Sequence, residues 1–247
     1  MKTAPYGAVF IYKKSAIINK MIRFDIITIF PKIFDSYINE SLILRARKKK
    51  LIKINIHNLR KWAKGKHQTV DDRPFGGGLG MVLKIEPIYK AVRSIKLKAE
   101  NKNSKVILFT PRGEKFTQKI AYRLSKMDQI IFICGRYEGV DERVAENIAD
   151  LNLSIGDYDL MGGELPAMVV IEAVSRLVPG ILGKTELLKE RIAGYPKGGG
   201  GFLEYAQYTR PEVFTAGNKK WRVPKVLLSG NHKKIKEWRR AHSKVIE

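Results

Sequence analysis

One cysteine, Cys134, and four histidines stand in a chain of 247 residues. A lone thiol forms neither an intramolecular disulfide nor a multi-cysteine zinc site, and it suits a reducing compartment, so the cytoplasm is the expected location. The histidines, His57, His67, His232 and His242, lack metal-ligand spacing. No apolar run approaches the roughly 18 residues that a membrane-spanning helix needs. Acids are scarce as well: 24 Asp and Glu stand against 47 Lys and Arg, a formal net charge of +23. Such an excess favours a polyanionic partner, nucleic acid being the simplest, although a lysine-biased composition would raise the charge without one. What is present is enough for a folded core, with 44% hydrophobic and 9% aromatic residues.

Residues 1–20 carry four lysines and no acid. They read as an extension ahead of an internal start at Met21, in preference to a weak organellar presequence. From Ile22 to Phe30 a β-branched run predicts a buried strand closed by Pro31. Phe34, Tyr37, Ile38, Ser41 and Leu42 recur at helical spacing, and the helix they predict ends in the cations of Arg45–Lys50, which suit the negative end of its dipole. Ile52, Ile54 and Ile56 alternate with polar residues as in a half-exposed strand. Strands over Val106–Thr110 and Ile130–Cys134 with a helix near Gln118–Leu124 between them, and a further helix over Pro166–Val178 stopped by Pro179-Gly180, complete an alternation that predicts an α/β fold with a parallel sheet. The expected organisation is a main domain over 21–182, a glycine-rich linker over 183–201 and a small basic helical domain over 202–247. In the last, Asn231 caps a helix predicted to reach Val245, with Ile235, Trp238 and Val245 on one face and five cations interleaved. Residues 218–247 hold ten Lys and Arg against two Glu, a ratio that reads better as an RNA-contacting surface than as a merely solvated helix face.

Four glycine-bearing segments carry the chemical signal: Asp71–Met81, Thr110-Pro-Arg-Gly113, Gly135–Arg143 and Ser154–Pro166. None has Walker A or dinucleotide Gly-x-Gly-x-x-Gly spacing, so a phosphate cradle is not expected. Two of them follow predicted strands directly, where ligands sit in open α/β sheets. Glycine there allows backbone amides and carbonyls to approach a ligand. Tight turns alone would explain one such segment, but four in one domain weaken that explanation.

The run His67-Gln-Thr-Val-Asp-Asp-Arg-Pro-Phe-Gly-Gly-Gly-Leu-Gly-Met81, together with Cys-Gly-Arg-Tyr-Glu-Gly-Val-Asp-Glu-Arg143 and Ser154-Ile-Gly-Asp-Tyr158, resembles the bacterial tRNA (guanine-N1)-methyltransferases. Ser175-Arg-Leu-Val-Pro-Gly180, Tyr208-Thr-Arg-Pro-Glu-Val213 and Val226-Leu-Leu-Ser-Gly-Asn-His232 continue the resemblance in the same order, nearly end to end from Met21. It implies the SPOUT-type α/β fold, with a mostly parallel sheet and a deep trefoil knot, and a homodimer whose two subunits build each active site. It implies S-adenosylmethionine as methyl donor and N1 of guanine 37, beside the anticodon of tRNA, as target. A SPOUT enzyme acting on another RNA fits the His67–Pro74 and Tyr208–Glu212 segments less well. By motif match the donor would lie against Leu108, Pro111, Gly135, Glu138, Ile155, Gly156, Asp157, Tyr158, Asp159, Leu160, Gly162 and Gly163. Mg²⁺ assistance is within the family's pattern, though no carboxylate cluster here requires it.

Guanine N1 carries a proton and is a poor nucleophile until it loses it, so the reaction needs a base and a positive group near O6. The resemblance assigns the positive group to Arg176. It assigns the base to an aspartate in the linker, where this chain has Arg191 preceded by Glu190, and no aspartate occurs after Asp159. A carboxylate substitute, Glu190 or else Glu186, is the favoured expectation. A slow enzyme, or a tRNA-binding protein that has lost catalysis, are the alternatives. The chain also stops soon after Trp238-Arg-Arg240, which leads us to expect a shortened RNA-binding domain.

Overall fold

A computed structural model describes residues 21–97, 103–182 and 202–246. The extension over 1–20 and the linker over 183–201, with Glu186 and Glu190 in it, lie outside the described residues. In chain order the main unit comprises β1 (Ile22–Thr28), α1 (Asp35–Ile38), α2 (Ser41–Lys48), β2 (Ile52–Asn58), the two-residue strands β3 (Asp71–Asp72) and β4 (Val82–Leu83), α3 (Ile85–Leu97), β5 (Ser104–Lys115), α4 (Gln118–Leu124), β6 (Gln129–Ile133), α5 (Glu142–Asn147), β7 (Leu151–Ser154) and α6 (Glu164–Ser175). Five strands form one sheet in the order β2-β1-β6-β5-β7, and every pairing in it is parallel. The expected α/β class is thus the observed one.

The central strand β6 is buried along its whole length, because helices cover both faces of the sheet. On one face Phe24, Phe132 and Phe109 from adjacent strands stack, with ring centroids 6.1 and 5.4 Å apart. Ile120 and Leu124 of α4 and Val170, Ile171 and Val174 of α6 close over them. On the other face Ile131, Ile133, Val106 and Leu108 meet Ile88, Ala91, Val92 and Ile95 of α3. Those four recur at helical spacing after Pro87 in the first turn, so the sequence carried the signal for α3 although the alternation above omitted it.

The single helix expected from Phe34 to Lys50 is broken in two. A 3-10 turn over Pro31–Phe34 leads into α1, and α2 starts afresh at Ser41. Polar groups close the gap: Asn39 Nδ2 donates to the Asp35 carbonyl at 2.7 Å, and Arg47 Nη1 donates to the Ile38 carbonyl at 2.5 Å. The break allows Phe34, Ile38, Ile43 and Ala46 all to be buried, which one straight helix would not.

Strand β5 runs past its expected end. Leu153 of β7 is opposite both Phe109 and Glu114, so Thr110–Gly113 leaves the ladder as a four-residue excursion. Gly113 lets it return: the residue packs directly on β7, where a Cβ would fall 2.6 Å from the backbone of Asn152 and Leu153.

Asp25, in the middle of β1, has no exposed surface. Its carboxylate meets Arg23 Nε at 2.7 Å, His57 Nε2 at 2.8 Å, Asn55 Nδ2 at 2.9 Å and Gln129 Nε2 at 2.7 Å, and so pins β2 and β6 to β1. Burial pushes this carboxyl upward, but the bonds from His57, Arg23, Gln129 and Asn55 together outweigh burial and hold it at about 2.

The C-terminal residues carry two helices, α7 (Lys225–Leu228) and α8 (His232–Ala241), and four short strands. β8 (Phe202–Tyr205) pairs with β11 (Ser243–Ile246), and β9 (Val213–Ala216) forms a hairpin with β10 (Lys219–Arg222). The Asn231 cap is present, accepting from the Lys234 amide at 3.1 Å. The helix does not reach Val245, however. His242 stacks on Trp238 at 4.2 Å and Ser243 Oγ donates to the Arg240 carbonyl at 2.8 Å, which closes the last turn and sends the β-branched Val245 into β11.

Two stability outcomes follow. Asp25→Asn should lower unfolding free energy by about 3 kcal/mol at pH 7, since it leaves the buried end of Arg23 without its counter-charge and removes the carboxylate that His57, Asn55 and Gln129 share. Because the folded value lies below that of an unfolded carboxyl, the contribution of Asp25 is complete above about pH 4 and fades as pH falls toward 2. Urea titrations at pH 7 and pH 3 should therefore separate wild type from variant less at the lower pH. Gly113→Ala should cost about 2 kcal/mol through overpacking against β7, read by the same titration at pH 7.

Candidate active site

Strands β6, β5 and β7 are neighbours, and the segments leaving their carboxyl ends converge on one cavity of about 460 Å³. Leu108–Arg112 forms one wall, Gly135–Val140 a second, and Ser154–Gly156 with Tyr158–Gly163 a third. The glycines are set by contact. A Cβ on Gly163 would lie 2.7 Å from Cys134 Cα, one on Gly162 would lie 2.7 Å from Glu164 Oε2, and one on Gly156 would enter the Tyr158 ring. The Gly163 amide donates to the Gly135 carbonyl at 3.0 Å, joining the second wall to the third. Ser154 Oγ donates to the Gly156 carbonyl at 2.8 Å and so folds the start of the third.

Below this junction lies Glu164, 1% exposed at the first turn of α6, where a negative charge suits the helix dipole. It accepts from Thr28 Oγ1 at 2.6 Å and from Arg136 Nε at 2.9 Å. Arg136 also donates to the Met161 carbonyl at 3.3 Å and places its guanidinium 4.9 Å from the centroid of the Phe30 ring. Burial, with Glu164 close by, pushes the Cys134 thiol well above its ordinary value, so the one cysteine is no nucleophile at neutral pH.

The second wall is braced by the glycine-rich loop of 71–81. The Glu138 amide donates to the Met81 carbonyl at 3.1 Å, and the Leu83 amide to the Gly139 carbonyl at 3.0 Å. Gly80 has φ 93° and sits against the Glu138 side chain. Across the mouth Arg112 and Glu142 form an ion pair at 2.5 Å. On the floor, Asn152 stands opposite Leu108 with its Oδ1 buried and without a hydrogen bond among the described residues.

Of the residues expected to hold a cofactor, Leu108 and Pro111 line the first wall and Gly135 and Glu138 the second. Ile155, Gly156, Tyr158, Asp159, Leu160, Gly162 and Gly163 line the third. Asp157 does not: it turns outward to Lys115 Nζ at 2.5 Å. Arg176 is the C-cap of α6, exposed, and outside the lining of this cavity. Sequence reading missed Asn152, Glu142 and the Arg136–Glu164 pair. Arg136 and Glu142 stand inside the motif Gly135–Arg143 and could have been singled out from it, whereas Asn152 lies in a four-residue strand that has no pattern of its own.

The arrangement offers a concave site with glycine-lined walls, many backbone polar groups, an orphaned acceptor at the floor and a size in the range of small-ligand pockets. A family model described as tRNA (Guanine-1)-methyltransferase TrmD matches residues 22–246. A tRNA (guanine-N(1)-)-methyltransferase of Dictyoglomus turgidum is 51% identical over 220 residues, covering 89% of this chain and 84% of that protein. One from Citrifermentans bemidjiense is 51% identical over 218 residues, covering 88% and 83%. The crystal structure of tRNA (m1G37) methyltransferase from Aquifex aeolicus superposes with a TM-score of 0.70 at 39% identity, covering 90% of this chain and 88% of that one. With the family model spanning nearly all of the chain and relatives at half identity along most of their length, this protein belongs to the tRNA (guanine-1)-methyltransferase family.

Proposed function

We propose that this protein transfers a methyl group from S-adenosylmethionine to N1 of guanine 37 in tRNA, with 21–182 as the catalytic domain and 202–247 as the basic tRNA-binding domain. The observation that carries the reading is the cavity at the carboxyl ends of β6, β5 and β7, which gathers family motifs from three separate stretches of chain. Its fit to the donor rests on the walls and the floor: Gly156, Gly162 and Gly163 let the third wall pack directly on Tyr158, Arg136 and Cys134, so that backbone groups line it, and Asn152 Oδ1 lacks a partner that a ligand N–H or O–H could supply. When bound, the donor supplies an electrophilic methyl group on a sulfonium centre. The walls would hold it through backbone groups of Leu108–Pro111, Gly135, Ile155, Gly156 and Tyr158–Leu160, with Glu138 at the rim. We assign these walls to the trefoil knot that the resemblance implies.

In this reading the Arg176 guanidinium offsets the charge that grows on guanine O6, and Glu190, or else Glu186, takes the N1 proton. Arg176 does not reach the cavity of its own chain. It ends an exposed stripe on α6 that begins with Leu165, 57% exposed, and Val169, 44% exposed, beside Met161, 88% exposed. The exposed apolar stripe supports a homodimer, since a second copy covering it would bury that surface, and in this reading Arg176 serves the partner subunit's cavity. In this reading Mg²⁺ assists the transfer as the resemblance implies; among the described residues no group of three or more His, Cys, Asp or Glu is suited to a metal.

Incubation with labelled donor should methylate guanine-37 tRNA and leave an adenine-37 variant unlabelled. Arg176→Ala and Glu190→Gln should each slow single-turnover transfer about 100-fold while donor affinity is kept. An unchanged rate in Glu190→Gln removes Glu190 from the mechanism. Absent transfer by the wild type, with tight tRNA binding, marks the chain as a tRNA-binding protein without catalysis, the alternative that the lack of a linker aspartate leaves open. Val169→Glu should convert the dimer to monomers in sedimentation equilibrium and abolish transfer together with it.

A further inference from the structure

The β9–β10 hairpin carries a feature that the donor cavity does not use. Phe214 and Trp221 are directly opposite in its antiparallel register and so share one face, with ring centroids 5.7 Å apart and an interplanar angle of 34°. They are 51% and 60% exposed, although large aromatic rings ordinarily gain most by burial. The two-residue loop Gly217-Asn218, with Gly217 at φ 56°, keeps the hairpin tight and its tip free of side-chain cover. Lys219 shares the aromatic face, Lys220 and Arg222 lie on the other, and all three are exposed. Among the described residues no carboxylate pairs with any of them.

Charge decides what would cover this face. Residues 202–246 hold eleven Lys and Arg against three Glu, so the aromatic pair stands in a strongly positive field. We propose that the Phe214–Trp221 face is a base-stacking platform for unpaired RNA nucleotides, with Lys219 on the flanking phosphate and Lys220 and Arg222 adding positive field from the other face. An exposed ring accepts the π-face of any base, but only where the base has left its own stack, so the occupant is a single-stranded loop and not a duplex. The inference rests on the tRNA reading above and specifies which part of the RNA the C-terminal domain engages.

The test uses the full chain and three RNA probes: an anticodon-type stem-loop, an unstructured oligonucleotide and a fully paired duplex. Stem-loop and oligonucleotide should quench tryptophan fluorescence, and Trp221→Phe should keep wild-type affinity while removing most of the quench. Trp221→Ala and Phe214→Ala should each weaken loop binding about tenfold, with the dependence on salt unchanged. Replacing Lys219 and Lys220 by Gln should instead flatten the salt dependence of binding. Binding of S-adenosylhomocysteine, unchanged in all variants, reports an intact main domain. Wild-type loop affinity in both alanine variants overturns the platform, as does an equal loss for loop and duplex. These outcomes are independent of methyl transfer: an inactive wild type whose loop binding still needs Trp221 defeats the enzymatic reading alone.

Discussion

The buried carboxylate of Glu164 is the point on which the site depends. It joins three stretches far apart in sequence: the end of β1 through Thr28, the segment after β6 through Arg136, and the start of α6, to which it belongs. A carboxylate with almost no exposure persists only when its oxygens are satisfied, and removal of one partner from such a buried pair costs about 3–5 kcal/mol. That cost fixes Arg136, and Arg136 in turn holds the Met161 carbonyl and so the approach to Gly162-Gly163. The two walls meet where they do because the charge beneath them leaves little other choice.

A second buried carboxylate, Asp25, serves the sheet in the same manner and is held far below the ordinary range by its four donors. The two networks divide the work. Asp25 pins the order β2-β1-β6 from one face, and Glu164 anchors the loops that leave the sheet. Between them the hydrophobic layers of α4 and α6 on one side and α3 on the other make the sheet rigid enough for backbone groups to serve as ligands.

Much of this was legible in the chain before its fold was known, and for local reasons. The buried run of β1, the alternation in β2, the proline in the first turn of α6 and the Asn231 cap are properties of neighbours in sequence. The break between α1 and α2 was not legible, since it depends on Arg47 reaching back to the Ile38 carbonyl. Nor was the end of α8, where the stacking of His242 on Trp238 overrides an apolar periodicity that pointed through to Val245. Short elements such as β7 and α5 give too few residues for a period to emerge.

Glycine placement, net charge and the absence of aspartate beyond Asp159 are determined by the sequence alone, and with them the class of fold, the expectation of a polyanionic partner and the question of the base. Which residues face one another depends on tertiary structure. Asp157 was expected among the cavity residues by its place in Ser154–Tyr158, yet it turns to Lys115, because the excursion of β5 brings that lysine alongside. Asn152 lies on the cavity floor because β7 pairs with β5, and Arg176 lies outside because α6 carries it along an exposed stripe. Periodicity is a relation along the chain, whereas a site built from the ends of three strands is a relation among strand order, register and the charges buried beneath them.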